Sequence, residues 1–135
     1  MNQLLKPVPL SDPRLFPAAI LQTQSTVLPK SATMKGDMSA SEDLSIRLDG
    51  EYNGKIELSK AGSVHIAIGS VVTTDLIIAD FIYIEGTVNG KIHARKGLEL
   101  SRTATVRGDI QYDGDLDMHP GVRISGQING PDTSL

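Results

Sequence analysis

The sequence contains no cysteine and no tryptophan among its 135 residues. Without cysteine neither a disulfide framework nor a thiolate metal site can form, and a cytosolic protein fits this composition best. The net charge of −3 gives no basic footprint for nucleic acid. Three tyrosines and two phenylalanines are too few to provide the stacking platforms that bind single strands. No apolar run approaches the roughly 20 residues needed to span a bilayer.

Side chains suited to catalysis or metal binding are also scarce. His65 and His93 are flanked by apolar residues that point inward, so both are predicted to face outward, and His119 precedes a turn proline. The acidic run 113–117 lacks the glycine and glutamate that complete a calcium loop. No phosphate loop, dinucleotide fingerprint or nucleophile elbow is present. We therefore expect no catalytic residue, no metal ion and no cofactor.

The sequence is organised instead around one five-residue phrase, in which two apolar residues flank a central glycine. Successive phrases begin 18, 20, 16, 18 and 18 residues apart. The third phrase has Thr74 in place of the glycine and is read as ending at Leu76. The six phrases start at Met34, Tyr52, Val72, Val88, Val106 and Ile124.

Apolar and polar residues alternate both within and between the phrases. Such alternation with β-branched residues predicts strands that bury one face. Short strands recurring every ~18 residues without helical segments are typical of a solenoid in which each repeat is one coil. We therefore predict a single all-β domain over residues 33–130, a three-sided parallel β-helix of about six coils, followed by a short tail at 131–135.

The glycine of each phrase is predicted to lie at a corner of its coil, where the backbone turns close to the axis or needs positive φ. The coil containing Thr74 should be the irregular one, with the two extra residues of the long interval near 60–62 and two residues missing before Val88. The predicted corner glycines are Gly36, Gly54, Gly90, Gly108 and Gly126.

The residue after the glycine position forms an outward column of alternating charge. Stacked opposite charges stabilise neighbouring strands and penalise a slip in register. Chance mixing of signs at exposed positions is the alternative. The column reads Asp37, Lys55, Asp75, Lys91, Asp109 and Gln127.

Residues 1–32 form a different segment, which carries five of the seven prolines and is predicted to be a disordered arm. Apolar residues near its start are followed by a lysine, as in interfacial membrane anchors. A plain terminal tail and a docking peptide for a protein partner are the other interpretations. The predicted membrane-targeting residues are Met1, Leu4, Leu5 and Lys6.

The ends of the predicted β-helix lack the helix or polar cap that usually covers exposed core and unpaired strand edges. End-to-end association would bury both, whereas in a monomer the tails would have to fold over them. Head-to-head and head-to-tail junctions both remain open. The predicted interface residues are Met34, Met38, Leu44 and Ile46 at one end, and Val122, Ile124 and Ile128 at the other.

The run Ile84-Glu-Gly-Thr-Val-Asn-Gly-Lys-Ile-His-Ala94, with Leu98-Glu-Leu100 and Val106-Arg-Gly-Asp-Ile110 after it, resembles the bactofilins, the bacterial polymer-forming cytoskeletal proteins. The resemblance covers about residues 32–130. It implies a right-handed three-sided β-helix, filaments formed end to end without nucleotide, and no enzymatic activity. It also implies a cytoplasmic scaffold at the inner membrane for cell-shape or cell-wall proteins, with membrane targeting through the N-terminus.

Two other functions remain open from the sequence. An apolar residue falls at every sixth position from Ile92 to Ile128, as in hexapeptide acyltransferases, which have a left-handed β-helix. The residues that follow those positions, such as His93 and Glu99, are larger than that repeat favours. A β-helical binding module like that of a division-site regulator, which would not self-assemble, is the third interpretation.

Overall fold

The computed structural model describes residues 26–41 and 43–131, and within them it contains sixteen strands and no helix. No helix in this part of the chain is therefore available to cross a membrane. In chain order the strands are β1 (Thr26–Leu28), β2 (Thr33–Lys35), β3 (Met38–Ala40), β4 (Ser45–Leu48), β5 (Glu51–Asn53), β6 (Ile56–Leu58), β7 (Ser63–Ile66), β8 (Val71–Thr73), β9 (Ile77–Ile84), β10 (Thr87–Asn89), β11 (Ile92–Leu100), β12 (Thr105–Arg107), β13 (Ile110–Tyr112), β14 (Asp115–Met118), β15 (Arg123–Ser125) and β16 (Ile128–Asn129).

These strands stack in parallel on three faces of a rod. Face 1 contains β1, β4, β7, the second halves of β9 and β11, and β14. Face 2 contains β2, β5, β8, β10, β12 and β15. Face 3 contains β3, β6, the first halves of β9 and β11, β13 and β16. Each face thus has one strand from each of six coils, which confirms the predicted all-β solenoid.

The first coil begins at β1, which lies inside the segment assigned to the arm from its proline content. Thr26 and Leu28 pair with Ile46 and Leu48 of the second coil. Pro29 follows directly and starts the turn to β2, so this proline marks a corner of the coil. The rest of the predicted arm, residues 1–25, and most of the tail, 132–135, lie outside the described residues.

Inward side chains from the three faces fill the rod axis. In β4, Ile46 and Leu48 are buried while Ser45 and Arg47 are partly exposed, which is the period of two expected for a one-layer wall. Because the strands are parallel and in register, like residues stack on like along the axis. The core is continuous through the four inner coils.

The corners differ in length in a way that the 18-residue period conceals. Leu48 and Tyr52 are four positions apart, but their partners Ile66 and Val72 are six apart. The two extra residues of the long interval therefore lie in the corner 67–70, and the predicted location near 60–62 is wrong. The sequence alignment had matched Leu44 with Val64, whereas Val64 stacks on Ile46.

The corner at Thr74 is irregular, as predicted. No residue other than glycine has positive φ in the described chain, so Thr74 does not adopt the conformation of the corner glycines. One extra residue follows it, and Ile77 takes the buried position that stacks on Ile56. Leu76 is only partly buried, so the phrase read as Val72 to Leu76 is wrong at its last position.

An arginine bridges the shortened third coil. Ile56 and Val64 of the second coil are eight positions apart, but their partners Ile77 and Ile82 are only five apart. Arg95, one coil further on, reaches back across this gap. Its Nε donates to Oδ1 of Asp80 at 2.7 Å, and its guanidinium also donates to the carbonyl oxygens of Leu58 and Lys60.

We expect Arg95→Met to lower the free energy of unfolding by about 2–3 kcal/mol, because it leaves the buried Asp80 carboxylate without its closest cation. Lys96, 3.5 Å from Asp80, offsets part of the loss. Arg47→Met is the control, since Arg47 and Asp49 form a more exposed pair at 3.0 Å, for which ~0–1 kcal/mol is expected. Urea unfolding of both variants measures the difference, and equal losses would contradict the bridging role.

Candidate functional site

The two ends of the rod expose strand edges that have no partner within the described residues. At the N-terminal end β1, β2 and β3 each pair with one strand of the second coil only. At the C-terminal end β14, β15 and β16 each pair with one strand of the fifth coil only. Alternate backbone N–H and C=O groups on these outer edges are therefore available for a further parallel strand.

Exposed apolar side chains are concentrated at the same ends. Within the described residues six large apolar side chains are exposed, and four of them belong to the first or last coil. Val27 and Met34 are 51% and 45% exposed at the N-terminal end. Met118 and Ile128 are 43% and 39% exposed at the C-terminal end. Each end is thus a cross-section of the core rimmed by unpaired backbone.

The predicted interface residues divide into those at the ends and one that lies inside. Met34 and Met38 belong to the first coil, and Ile124 and Ile128 to the last. Val122 and Leu44 lie in corners and pack, partly buried, against the core. Ile46 is fully buried beneath β1 in the second coil, so its assignment to the end is wrong. Val27 and Met118 were missed, and the alternation of their strands is the signal that could have identified them.

The corner glycines hold adjacent coils at backbone contact distance. Gly54 and Gly108 have φ of 147° and 153°, which side-chain-bearing residues rarely adopt. A Cβ on Gly54 would collide with the carbonyl oxygen of Gly36, and one on Gly108 with that of Gly90. The obstruction is therefore the neighbouring coil and not the core. Positive φ is shared by all five predicted corner glycines, Gly36, Gly54, Gly90, Gly108 and Gly126.

The outward column of charge is held by hydrogen bonds to the backbone. The N–H of Lys55 donates to Oδ1 of Asp37 at 3.0 Å, and the N–H of Gln127 donates to Oδ1 of Asp109 at 3.0 Å. The carboxylates therefore satisfy backbone donors that the corner turns away from the β-ladder. Alternation of charge along the column is present, but the bonds that fix the register come from the aspartates.

Tyr52 clamps the first coil onto the second. Its ring is buried on face 2, and its hydroxyl donates to the carbonyl oxygen of Gly36 at 2.6 Å. Burial of the ring, together with the nearby negative charge of Asp37, raises the pKa of Tyr52. The corner next to the N-terminal end is thus anchored by a neutral phenol.

We expect Tyr52→Phe to lose about 1 kcal/mol of stability at pH 7, because one hydrogen bond disappears. With a folded pKa above the unfolded value of ~10, the wild type should lose stability as pH rises through the folded pKa. The variant should lack this additional alkaline loss. Urea titrations between pH 8 and 11 measure both effects, with Tyr112→Phe as the control, and identical pH profiles for wild type and Tyr52→Phe would refute the assignment.

All three histidines bond to carboxylates of an adjacent coil, which the sequence analysis missed. Nε2 of His65 lies 2.7 Å from Glu85, and Nε2 of His93 lies 2.7 Å from Asp113. The bond from His93 is the main cause of a lowered pKa at Asp113. The signal in the sequence is a spacing of 20 residues between each histidine and its carboxylate, slightly more than one coil.

His119 completes the only group of three side chains in the described residues with the geometry to share a metal ion. Its Nε2 lies 2.6 Å from Glu99 and 3.9 Å from Asp117. Nitrogen and carboxylate oxygen are ligand types that zinc accepts. The short bond between His119 and the fully buried Glu99 also accounts for this arrangement as an ion pair, because a buried carboxylate requires a charged or hydrogen-bonding partner.

Comparison with protein families gives one match, which covers residues 26–129 and is described as bactofilin, polymer-forming cytoskeletal. The matched segment begins at β1 and ends at β16, so it coincides with the six coils. No curated protein and no solved structure matches the chain. The family match spans well over half of the sequence and agrees with the fold and its open ends, so the chain belongs to the bactofilin family of polymer-forming cytoskeletal proteins.

Proposed function

We propose that the protein is the subunit of a filament that grows by end-to-end contact of rods and needs no nucleotide. The observation that carries the proposal is the placement of Val27, Met34, Met118 and Ile128, four of the six exposed large apolar side chains, on the end coils. The lateral faces carry mostly polar outward residues, such as Glu57 and Arg107.

A junction between rods would continue structure that already exists within each rod. The outer edges of β1, β2 and β3, or of β14, β15 and β16, can each accept further strands. The apolar cross-sections would be removed from water at the same time, and burial of apolar surface stabilises by about 25 cal/mol per Å². These contacts are favourable without an energy source, and the sequence has no phosphate-binding loop.

Negative-stain electron microscopy of the full chain, purified without nucleotide, tests the proposal. We expect unbranched filaments, and pelleting at high speed that ATP or GTP does not change. Dispersed particles of monomer size over the accessible concentration range would overturn the proposal. Pelleting that requires nucleotide would overturn its nucleotide-independent part.

We further propose that the filament lies at the cytoplasmic face of the inner membrane and scaffolds cell-shape or cell-wall proteins. Met1, Leu4, Leu5 and Lys6 lie outside the described residues, and their apolar and cationic character supports interfacial binding. Flotation with anionic liposomes separates bound protein from sedimenting filaments. We expect Leu4→Glu/Leu5→Glu to abolish flotation and leave filaments unchanged, whereas unchanged flotation would exclude this segment as the anchor.

A further inference from the structure

The outer surface of face 1 contains a strip of buried side chains. His65, Tyr83 and Glu99 stack in one outward column and are 5%, 1% and 0% exposed. At the outward strand positions of faces 2 and 3 no described residue is buried. A one-layer wall leaves its outward side chains open to solvent, so burial restricted to one face indicates a covering layer.

The chemistry of the strip changes along the rod. His65 and Tyr83 stack with ring centroids 5.1 Å apart at an angle of 21°, and they offer an aromatic surface. Further along the same column Glu99 and Asp117 follow, with Asp115 beside them, and the surface becomes acidic. An occupant of this strip should be apolar in its middle and cationic at one end.

Residues 1–25 match this description and reach the strip directly. They join the rod at Thr26 in β1, which belongs to face 1 itself. Leu15, Phe16 and the apolar residues 18–21 precede this junction, and Arg14 comes immediately before them. Twelve residues separate Arg14 from Thr26 and can extend up to ~40 Å, whereas four coils span only ~19 Å.

We propose that residues 14–21 fold back over face 1 of their own rod. The apolar run packs on His65 and Tyr83, and Arg14 pairs with the acidic end at Glu99 and Asp117. Docking leaves residues 1–6 beyond the contact, where they remain free to bind a membrane. This inference goes beyond the proposed function, since an arm docked on its own rod requires neither filaments nor lipid.

A docked arm would determine which side of the rod faces the surface that residues 1–6 bind. With Arg14 anchored near the fifth and sixth coils, the N-terminus leaves the rod from face 1. Faces 2 and 3 would then point away from that surface and remain available to other proteins. The arm thus converts a rod with three comparable faces into one with a defined orientation.

Disulfide trapping tests the contact, because the natural chain has no cysteine. Pro13→Cys is combined with Asp115→Cys on face 1 or, as the control, with Glu57→Cys on face 3, both of which are exposed. A loose arm could reach either cysteine, whereas a docked arm reaches only the first. We expect at least tenfold more intrachain disulfide in the Asp115 pair under mild oxidation, measured by peptide mass spectrometry of full-length protein.

The arm's arginine supplies a second comparison. Arg14→Glu should lower the yield of the Asp115 pair at least fivefold, whereas Lys6→Glu, with the same change of charge beyond the contact, should not. Isotope-mixed samples distinguish intrachain from interchain bonds. Equal yields in the Asp115 and Glu57 pairs would overturn the docking. Predominantly interchain bonds would also overturn it, since they would assign the strip to the arm of a second copy.

Discussion

Ile128→Arg is expected to abolish filament formation, whereas Ile68→Arg is expected to leave filaments unchanged. Both isoleucines are exposed in the monomer, at 39% and 54%, so the cost of placing arginine on the isolated rod is similar. Ile128 belongs to the last coil, and in a filament its side chain would enter the junction. An unpaired guanidinium buried there would cost several kcal/mol for each contact. High-speed pelleting and electron microscopy measure the outcome.

Ile68 provides a control within the same chain. It projects from the long corner 67–70 on the side of the rod, far from both ends. Thermal melts of both variants establish that each remains folded. Filaments of normal abundance in Ile128→Arg would exclude the C-terminal end as a junction, and loss of filaments in Ile68→Arg would show that this lateral corner is needed for assembly.

The second large effect is expected at Gly108, where alanine should lower the free energy of unfolding by about 3 kcal/mol. Positive φ costs a residue with a side chain roughly 1–2 kcal/mol, and restricted freedom of the unfolded chain returns up to ~1 kcal/mol. Collision of the new Cβ with the carbonyl oxygen of Gly90 adds overpacking of about 1–3 kcal/mol. The backbone of a stacked coil cannot move away without disturbing its own ladder.

Gly36→Ala separates these two contributions. Gly36 has φ of 132°, but no atom lies within 4 Å of the position a Cβ would take. Only the conformational part remains, and a loss of about 1 kcal/mol is expected. Urea unfolding in the Ile128→Arg background keeps assembly from contributing. Equal losses at Gly36 and Gly108 would show that the contact between coils is not the reason for glycine at the corner.

The sequence predicted the architecture because a solenoid repeats its pattern locally. Alternation such as Ile46-Arg47-Leu48 defines each strand without knowledge of its neighbours, and the spacing of phrases defines the coil. Register was less accessible, because two corners of unequal length can sum to the same period. Leu44 was matched with Val64 for this reason, although Ile46 is its partner.

Side-chain roles were harder still to predict, since they depend on contacts between coils. Asp109 and Lys91 looked like partners in a charge ladder, whereas Asp109 accepts a hydrogen bond from the backbone of Gln127. Arg95 gave no sequence signal of its role, because its contacts at Leu58 and Lys60 lie more than thirty residues away. The ends of the rod were predictable in kind, but their exposed residues follow from where the first strand begins.

The long corner at 67–70 has a practical consequence for visualising the polymer in cells. Gly69 has φ of 85°, and nothing lies within 4 Å of where its Cβ would be, so the chain there has room for added residues. A short epitope inserted between Ile68 and Gly69 would protrude sideways once per subunit, at intervals of ~29 Å if six coils of ~4.8 Å repeat along a filament. Such a label would leave both ends and the strip on face 1 uncovered.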